Sequence, residues 1–247
     1  MSIENPEELA ALRRIGRIVG LAIAEVRAAV RPGVSTAELD AVAEAFLESQ
    51  GATPAPRQVY GFPGAIMVSV NDEVVHTVPG ERRIAPGDVV KIDITASLDG
   101  IFADAAATVL VPPSSPAARR LASCVQAAFN EGVRVARAGA LLNEVGRRVE
   151  AEVRRRGFTV LRELRGHGIG RTIHEAPEVA NYYDPHERTR LTEGLVLTLE
   201  PLISAGSGKT VLASDGWTIR TLDGSLAAHH EHTLVITRGN PLRVTEV

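Results

Sequence analysis

The sequence has one cysteine, no long apolar segment and no secretion signal, and each absence excludes a class of protein. A single Cys124 among 247 residues excludes an intramolecular disulfide and suits a reducing compartment. No uninterrupted apolar run approaches the roughly 18 residues that a membrane span requires. The first residues are acidic and lack the basic region and apolar core of a signal peptide. We therefore expect a cytoplasmic protein without membrane association.

The chain also has little net charge of either sign. Its 27 Lys and Arg residues face 30 Asp and Glu residues, a net charge of -3, so no general attraction to nucleic acid is expected. The short arginine runs lie within helical patterns and alternate with acids, which is typical of solvated helix surfaces. The 45% hydrophobic content is enough for a substantial core.

The most informative stretch is 91–104, which reads as two strands joined by the turn Asp99-Gly100. Asp93 stands between two isoleucines, so its side chain points to the opposite face of its strand. Asp104 lies on the partner strand, among small and apolar residues. Burial of an ionised carboxylate is unfavourable unless a partner neutralises it. The stretch alone leaves two interpretations open: solvated acids on the polar face of a hairpin, or a pair of metal ligands.

The remaining pattern predicts four helices and several strands. Asn5-Pro6 is an N-terminal cap, and Ser35 with Glu38 forms a capping box. The predicted elements are helices over 6–30, 36–50, 117–136 and from about 140 to 156, a loop over 53–63, and strands over 65–70, 159–164, 195–203, 218–222 and 229–237.

The two halves of the chain resemble each other. The series Gly33, Glu38, Glu44, Gly51 recurs 106 residues later, from 33 to 139, and the segment 87–93 recurs 107 residues later, from 93 to 200. Asp93 thereby acquires a carboxylate counterpart in Glu200. The repeat predicts one domain over 1–247, with pseudo-symmetric halves of roughly 1–111 and 117–247. Each half reads as helix, helix and strands, which favours an α+β fold.

Further acids and histidines stand in apolar or glycine-rich surroundings in the second half. His167 lies between glycines, and Glu200 and Glu231 lie in apolar strands. Each alone has a structural interpretation, as a core histidine or a strand-end acid. Together with Asp93 and Asp104 they would place four negative charges on one sheet, which two divalent ions would balance. Carboxylates with one imidazole suit Mn, Fe(II), Co or Zn.

Threonines stand two residues from three of these acids, on the same face of their strands. We expect Thr95, Thr198 and Thr233 to hydrogen-bond the ligands. For Thr198, a purely structural role as a β-branched strand residue is favoured.

The strings KIDI, FADAAAT, GHGIG, IHEAPEV, TLEP and EHT resemble those of the type I methionine aminopeptidases, and the likeness extends over the whole chain. The resemblance implies the pita-bread fold, in which pseudo-twofold helix-helix-strand repeats surround a curved antiparallel sheet. It also implies a centre of two divalent metal ions (Co, Mn, Fe(II) or Zn), with Asp93 and Asp104 on one ion, His167 and Glu200 on the other, and Asp104 with Glu231 bridging.

The resemblance implies further site residues as well. Glu200 would accept the proton of the attacking water, while His76 and His174 would contact the substrate and stabilise the tetrahedral intermediate. The methionine side chain would lie in an apolar pocket. Its candidate residues are Tyr60, Phe62, Met67, Ile173 and Trp217.

Four positions depart from the usual family pattern. Thr77 follows His76 where glycine is commoner, and Ile173 stands where phenylalanine is frequent. His229 and His230 replace a glutamine and an aromatic residue or histidine before the last ligand, and are candidates for adventitious metal binding. None of the departures removes a ligand, but they leave the pocket's tolerance for the residue after methionine open.

The implied activity is removal of the initiator methionine from nascent polypeptides when the next residue is small. The implied partner is the N-terminal methionine of those chains; transient ribosome contact stays open, and a monomer is expected. One alternative is an X-Pro peptidase of the same fold, although those usually carry another N-terminal domain. The other is a non-catalytic pita-bread module that binds protein or RNA, which would have lost ligands that are intact here.

Overall fold

The computed structural model describes residues 1–247 and has five helices. The helices are α1 (Pro6–Ala29), α2 (Thr36–Ser49), α3 (Ala55–Tyr60), α4 (Pro116–Val133) and α5 (Leu142–Arg155). The strands are β1 (Thr53–Pro54), β2 (Met67–Val70), β3 (Glu73–Val75), β4 (Val89–Leu98), β5 (Ile101–Leu110), β6 (Thr159–Val160), β7 (Arg165–Gly168), β8 (Glu175–Ala180), β9 (Val196–Leu199), β10 (Leu202–Ser204), β11 (Thr210–Leu212), β12 (Ile219–Thr221), β13 (Ala227–His229), β14 (Glu231–Val235) and β15 (Leu242–Arg243). None of the helices combines the length and the apolar character that crossing a membrane demands.

Side chains cap the first two helices as the sequence predicts. The Asn5 side chain accepts a hydrogen bond from the Glu8 amide, and Pro6 occupies the first turn of α1. Ser35 and Glu38 form both bonds of the capping box of α2. These bonds satisfy amide groups that have no partner within the helix.

The hairpin of β4 and β5 is confirmed. The two strands pair in one unbroken register from Val89 opposite Leu110 to Leu98 opposite Ile101. At the turn, Asp99 and Gly100 have φ values of 50° and 78°. Two consecutive positive φ values match the right-handed twist of the strands, which explains the Asp-Gly pair.

A nine-stranded antiparallel sheet carries the acidic residues. Its strands follow the order β1-β4-β5-β14-β9-β7-β8, with β2 on β4 and β15 on β14. Asp93, Asp104 and Glu231 lie on the adjacent strands β4, β5 and β14, Glu200 directly follows β9, and His167 lies on β7. The strand order therefore brings together residues from both halves of the chain.

Each helix pair covers its own part of the sheet. One core of 32 buried residues packs α1 and α2 against β2, β4 and β5, and a second core of 20 packs α4 and α5 against β9 and β14. The first core also takes in Ile169, Val196 and Val235 from the second half of the chain, and the pairing of β5 with β14 joins the two parts of the sheet.

Four predicted elements are wrong in detail. The predicted strand over 229–237 is broken at His230, because β13 ends at His229 in a three-stranded sheet and β14 begins at Glu231 in the large sheet. The predicted loop over 53–63 contains β1 and α3, since prolines fit the first turn of a helix and Gly61 ends it with a left-handed φ of 68°. The predicted strand over 195–203 divides at Pro201 into β9 and β10, which belong to different sheets. Of the strand over 159–164, only Thr159–Val160 is formed, while the glycine-flanked His167 lies in a strand.

Candidate metal centre and substrate pocket

Four carboxylates and one histidine from five neighbouring chain segments converge on one face of the large sheet. The exposed fractions of Asp93, Asp104, Glu231 and His167 are only 9%, 6%, 2% and 9%. No lysine or arginine forms an ion pair with the group. The nearest side-chain nitrogens are on histidines: His229 Nε2 lies 3.4 Å from Glu231 Oε2, and His167 Nε2 lies 3.5 Å from Glu200 Oε1. The protein itself therefore provides no cation for this cluster.

Burial and mutual repulsion keep these carboxylates from ionising normally. Burial raises the pKa of Asp104 to about 6. The pKa of Asp93 rises well above its usual value, first through burial and then through repulsion by Asp104 and Glu200. The pKa values of Glu200 and Glu231 are also raised, chiefly by burial. Full ionisation of the cluster requires a bound positive charge.

The threonines near the acids have different roles. Thr95 Oγ1 donates to Asp104 Oδ2 at 2.7 Å. Thr198 Oγ1 donates to Glu200 Oε1 at 2.7 Å and accepts from the His167 amide at 3.0 Å, so the structural interpretation of Thr198 is wrong. Thr233 bonds the backbone N–H and carbonyl of Asp104 rather than the Glu231 side chain, so it holds a ligand residue through its main chain.

The cluster has the donor atoms and the unmet bonding capacity that a divalent metal centre requires. Asp104 Oδ1 and Glu231 Oε1 are buried without a hydrogen-bond partner. Ligand atoms of Asp104, His167 and Glu231 lie within 4.8 Å of one another, as do those of Asp93, His229 and Glu231. Carboxylate oxygens with imidazole nitrogens suit Mn, Fe(II), Co and Zn. The residues present therefore fit a metal centre.

A cavity of about 270 Å³ opens on this cluster. All of the metal-ligand, catalytic and methionine-pocket residues that the resemblance implies line it. Phe62, with an exposed fraction of 1%, meets the edge of Trp217 at a ring-centroid distance of 5.2 Å. Trp217 follows the turn at Asp215, whose carboxylate accepts a hydrogen bond from the Trp217 amide. The cavity thus joins an apolar pocket to the polar floor that the carboxylates and His167 form.

Two histidines flank the entrance to the polar floor. Burial and the neighbouring His174 lower the pKa of His76 to about 4, and burial lowers the pKa of His174. The Tyr60 hydroxyl lies 2.5 Å from His174 Nδ1, and the His174 ring lies 4.1 Å from that of His167. Both histidines are neutral at pH 7, so each has one N–H to donate and one nitrogen to accept.

Sequence reasoning missed two features of the site. The hydrogen bond between Tyr60 and His174 joins residues 114 positions apart, so no local sequence pattern predicts it. His229 was expected to bind only adventitious metal, yet it faces the carboxylates from within the protein. The sequence does contain an indication of this position: His229 and Glu231 are two residues apart, so their side chains share one face of an extended chain.

Comparison with known proteins identifies the family. The sequence profile of metallopeptidase family M24 matches residues 10–238. The chain belongs to metallopeptidase family M24. This M24 member is therefore a hydrolase that uses divalent metal, and its large sheet with two helix pairs is the pita-bread fold that the sequence predicts.

Known proteins resemble this M24 chain to different degrees in sequence and in structure. Methionine aminopeptidase 2 of Bacillus subtilis (strain 168) is 43% identical over 249 residues, which cover 100% of both chains. The crystal structure of methionine aminopeptidase from Thermotoga maritima superposes with a TM-score of 0.97 at 32% identity, with 100% of both chains covered. Prolidase from Pyrococcus furiosus has a TM-score of 0.78 at 21% identity over 99% of this chain and 65% of its own, which shows a shared fold alone.

Proposed function

We propose that the chain is an aminopeptidase that removes an N-terminal methionine from nascent polypeptides whose next residue is small. The observation that carries the proposal is the single cavity of about 270 Å³, which joins the buried acidic cluster to an apolar pocket. Full-length similarity to methionine aminopeptidases supports the same substrate. Because nascent polypeptides are made in the cytoplasm, the proposal includes a cytoplasmic location, and a monomer is expected.

The apolar part of the cavity would hold the methionine side chain. It is lined by Tyr60, Phe62, Met67, Ile173 and Trp217. Aromatic edges and a flexible methionine accommodate an unbranched thioether well, because sulfur–aromatic contacts are favourable and Met adapts its shape. A charged or β-branched first residue lacks that fit.

The acidic cluster would hold the metal. Its ligands would be Asp93 and Asp104 on one side, His167 and Glu200 on the other, and Glu231 between them. Two divalent ions bound there would balance four carboxylates and supply Lewis acidity toward both the scissile carbonyl and the attacking water.

Glu200 would act as the general base and then the general acid of the reaction. The attacking water forms a bond from its oxygen to the carbonyl carbon and gives its proton to the Glu200 carboxylate. Thr198 orients that carboxylate through its hydrogen bond to Oε1. When the carbon–nitrogen bond of the peptide breaks, Glu200 returns the proton to the leaving amine. The products are free methionine and the shortened peptide.

His76 and His174 would act as neutral hydrogen-bond donors. Their lowered pKa values leave them uncharged at pH 7. An N–H directed at the carbonyl oxygen stabilises the negative charge that develops there as water attacks. In this role the Tyr60 hydroxyl would donate to Nδ1 of His174, which would keep the imidazole proton on Nε2.

A peptide screen tests the substrate and separates the proposal from the X-Pro alternative. Purified protein supplied with Co or Mn should release methionine from Met-Ala-Ser and Met-Gly-Met and leave Ala-Pro and other Pro-ending dipeptides intact. Failure to cleave methionine peptides with every divalent metal tried contradicts the proposal. Cleavage of the proline dipeptides alone supports the X-Pro peptidase.

Ligand variants test the metal centre itself. Asp104→Ala and His167→Ala should abolish hydrolysis while the far-ultraviolet circular dichroism stays native. Retained turnover would refute the ligand assignment. Specific metal retained by the purified wild type also argues against a non-catalytic binding module.

A further inference from the structure

His229 is a fully buried histidine at the edge of the carboxylate cluster. Its exposed fraction is 1%, and it ends strand β13, where it pairs with Leu202. Its backbone is held on both sides by Thr108, whose hydroxyl accepts from the His229 amide at 3.0 Å and donates to its carbonyl at 2.7 Å. The strand and these two bonds fix the direction of the imidazole.

Neither ring nitrogen of His229 has a hydrogen-bond partner. Nε2 lies 3.4 Å from Glu231 Oε2 and 4.0 Å from Glu200 Oε2. A buried imidazole without partners is unfavourable, because burial removes the hydrogen bonds that water would provide. Its nitrogen is aimed at the same carboxylates that the metal centre uses.

The possible ligand groups of the site form two sets of similar composition. One contains Asp104, His167 and Glu231, and the other contains Asp93, His229 and Glu231. Within each set the ligand atoms lie within 4.8 Å of one another. Each set therefore has one aspartate and one histidine, and Glu231 is common to both.

We propose that His229 is a sixth protein ligand of the metal centre and binds, through Nε2, the ion held by Asp93 and Glu231. Each of the two ions then has one imidazole ligand. The inference rests on the metal centre of the proposed function and is independent of the substrate. A second nitrogen shifts the preference of the site toward Zn, Co and Fe(II) and away from Mn, which suits all-oxygen sites.

The competing role for His229 is a hydrogen bond to Glu231 without any contact to metal. Substitution by glutamine separates the two roles. A glutamine amide reaches a similar distance and retains an N–H donor, but it is a much weaker ligand for these ions than imidazole. His229→Gln is therefore the informative variant.

His230 provides the matched control. It neighbours His229 in sequence and is also a partly enclosed histidine, but its ring packs edge-on against Phe129 at a centroid distance of 4.9 Å. His230→Gln removes an imidazole without approaching the two ligand sets. It should bind metal as the wild type does.

The test measures metal binding and its ligands directly. Metal-free wild type, His229→Gln and His230→Gln are titrated with Co(II) by calorimetry and visible absorption, and the loaded proteins are examined by X-ray absorption spectroscopy. We expect an average of one imidazole per cobalt at two equivalents in wild type and in His230→Gln, and half of that in His229→Gln. The weaker of the two binding steps should lose at least about tenfold in affinity in His229→Gln.

Two outcomes of the cobalt experiment would contradict the ligand role of His229. Half an imidazole per cobalt in the wild type, or unchanged affinity and spectrum in His229→Gln, overturns the inference. The wild-type spectrum decides the question even if His229→Gln does not fold. A protein that cleaves no methionine peptide but binds two cobalt ions with two imidazoles contradicts the proposed function and leaves this inference intact.

Discussion

At the scale of single residues, burial changes the charge states on which the site depends. The same desolvation raises the pKa of Asp104 to about 6 and lowers that of His76 to about 4, because each group loses the water that favours its charged form. The site therefore contains acids that need a cation and histidines that stay neutral.

Replacement of Tyr60 by phenylalanine should lower kcat about tenfold and leave KM for a methionine peptide nearly unchanged. The ring that lines the pocket is kept, but the hydroxyl that bonds His174 Nδ1 is lost, a change of about 1.4 kcal/mol. Steady-state kinetics with a methionyl peptide measure the effect. Tyr183→Phe, on an exposed tyrosine outside the cavity, should behave as wild type. A rise in KM at constant kcat would show that the hydroxyl serves binding alone.

Asp104 should make the stability of the metal-free protein depend on pH. Its pKa is about 6 in the folded chain and lies near the ordinary 3.8 in the unfolded chain, so folding takes up a proton between these values. The contribution of Asp104 to stability falls as the pH rises from about 4 to about 6. Asp104→Asn should therefore gain stability over wild type on going from pH 4.5 to pH 6.5, as measured by urea unfolding in the presence of a chelator.

The control for that measurement is Glu81→Gln, an exposed acid that does not line the cavity on the cluster. It should follow the wild-type pH dependence. An equal difference between Asp104→Asn and wild type at both pH values would show that Asp104 ionises normally in the folded chain.

At the scale of elements, the packing of the helices depends on close contacts that only glycine permits. A Cβ on Gly16 of α1 would meet the carbonyl oxygen of Val244, and one on Gly146 of α5 would meet the carbonyl oxygens of Ala180 and Tyr182. Each helix therefore lies directly on the backbone of a distant segment. These contacts hold the helix pairs over the sheet.

Alanine at Gly16 or Gly146 should lower the free energy of unfolding by roughly 1–3 kcal/mol. Alanine adds about 1 kcal/mol of helix propensity, but the clash is with backbone that cannot turn aside, so overpacking prevails. Gly80→Ala is the matched control, since a Cβ there meets nothing within 4 Å, and it should change stability by less than about 0.5 kcal/mol. Urea unfolding compares the three variants; stability unchanged at both helix positions contradicts the packing described.

At the scale of the whole molecule, two cores share one sheet. The helix pairs form separate hydrophobic clusters of 32 and 20 residues, but β5 pairs with β14 between them, and the metal ligands come from both halves. Neither half can complete the sheet or the site alone. We therefore propose that residues 1–247 fold as a single domain.

Thermal unfolding should accordingly be one cooperative transition. Circular dichroism, which follows the helices, and the fluorescence of Trp217, which follows the pocket, should give the same midpoint for the metal-free chain. Added Co or Zn should raise both midpoints together, because metal binds the folded state. Two midpoints that differ between the probes would show that the halves unfold independently.

Local sequence determined the elements and much of the chemistry of this protein. Features that depend on neighbouring residues or on spacing can be predicted without a structure. They include the Asp99-Gly100 turn, the caps at Asn5 and Ser35, and the repeat that relates Asp93 to Glu200. The break at Pro201 and the helix α3 were missed, because prolines suit both turns and helix starts.

Tertiary structure alone decided which side chains meet. Thr233 bonds the backbone of Asp104 across 129 residues, Tyr60 bonds His174 across 114, and His229 turns toward Glu231 rather than toward solvent. Such contacts depend on strand order and on the packing of whole elements, which no local pattern specifies. The sequence indicates a metal centre, and the fold assigns the neighbours that orient it.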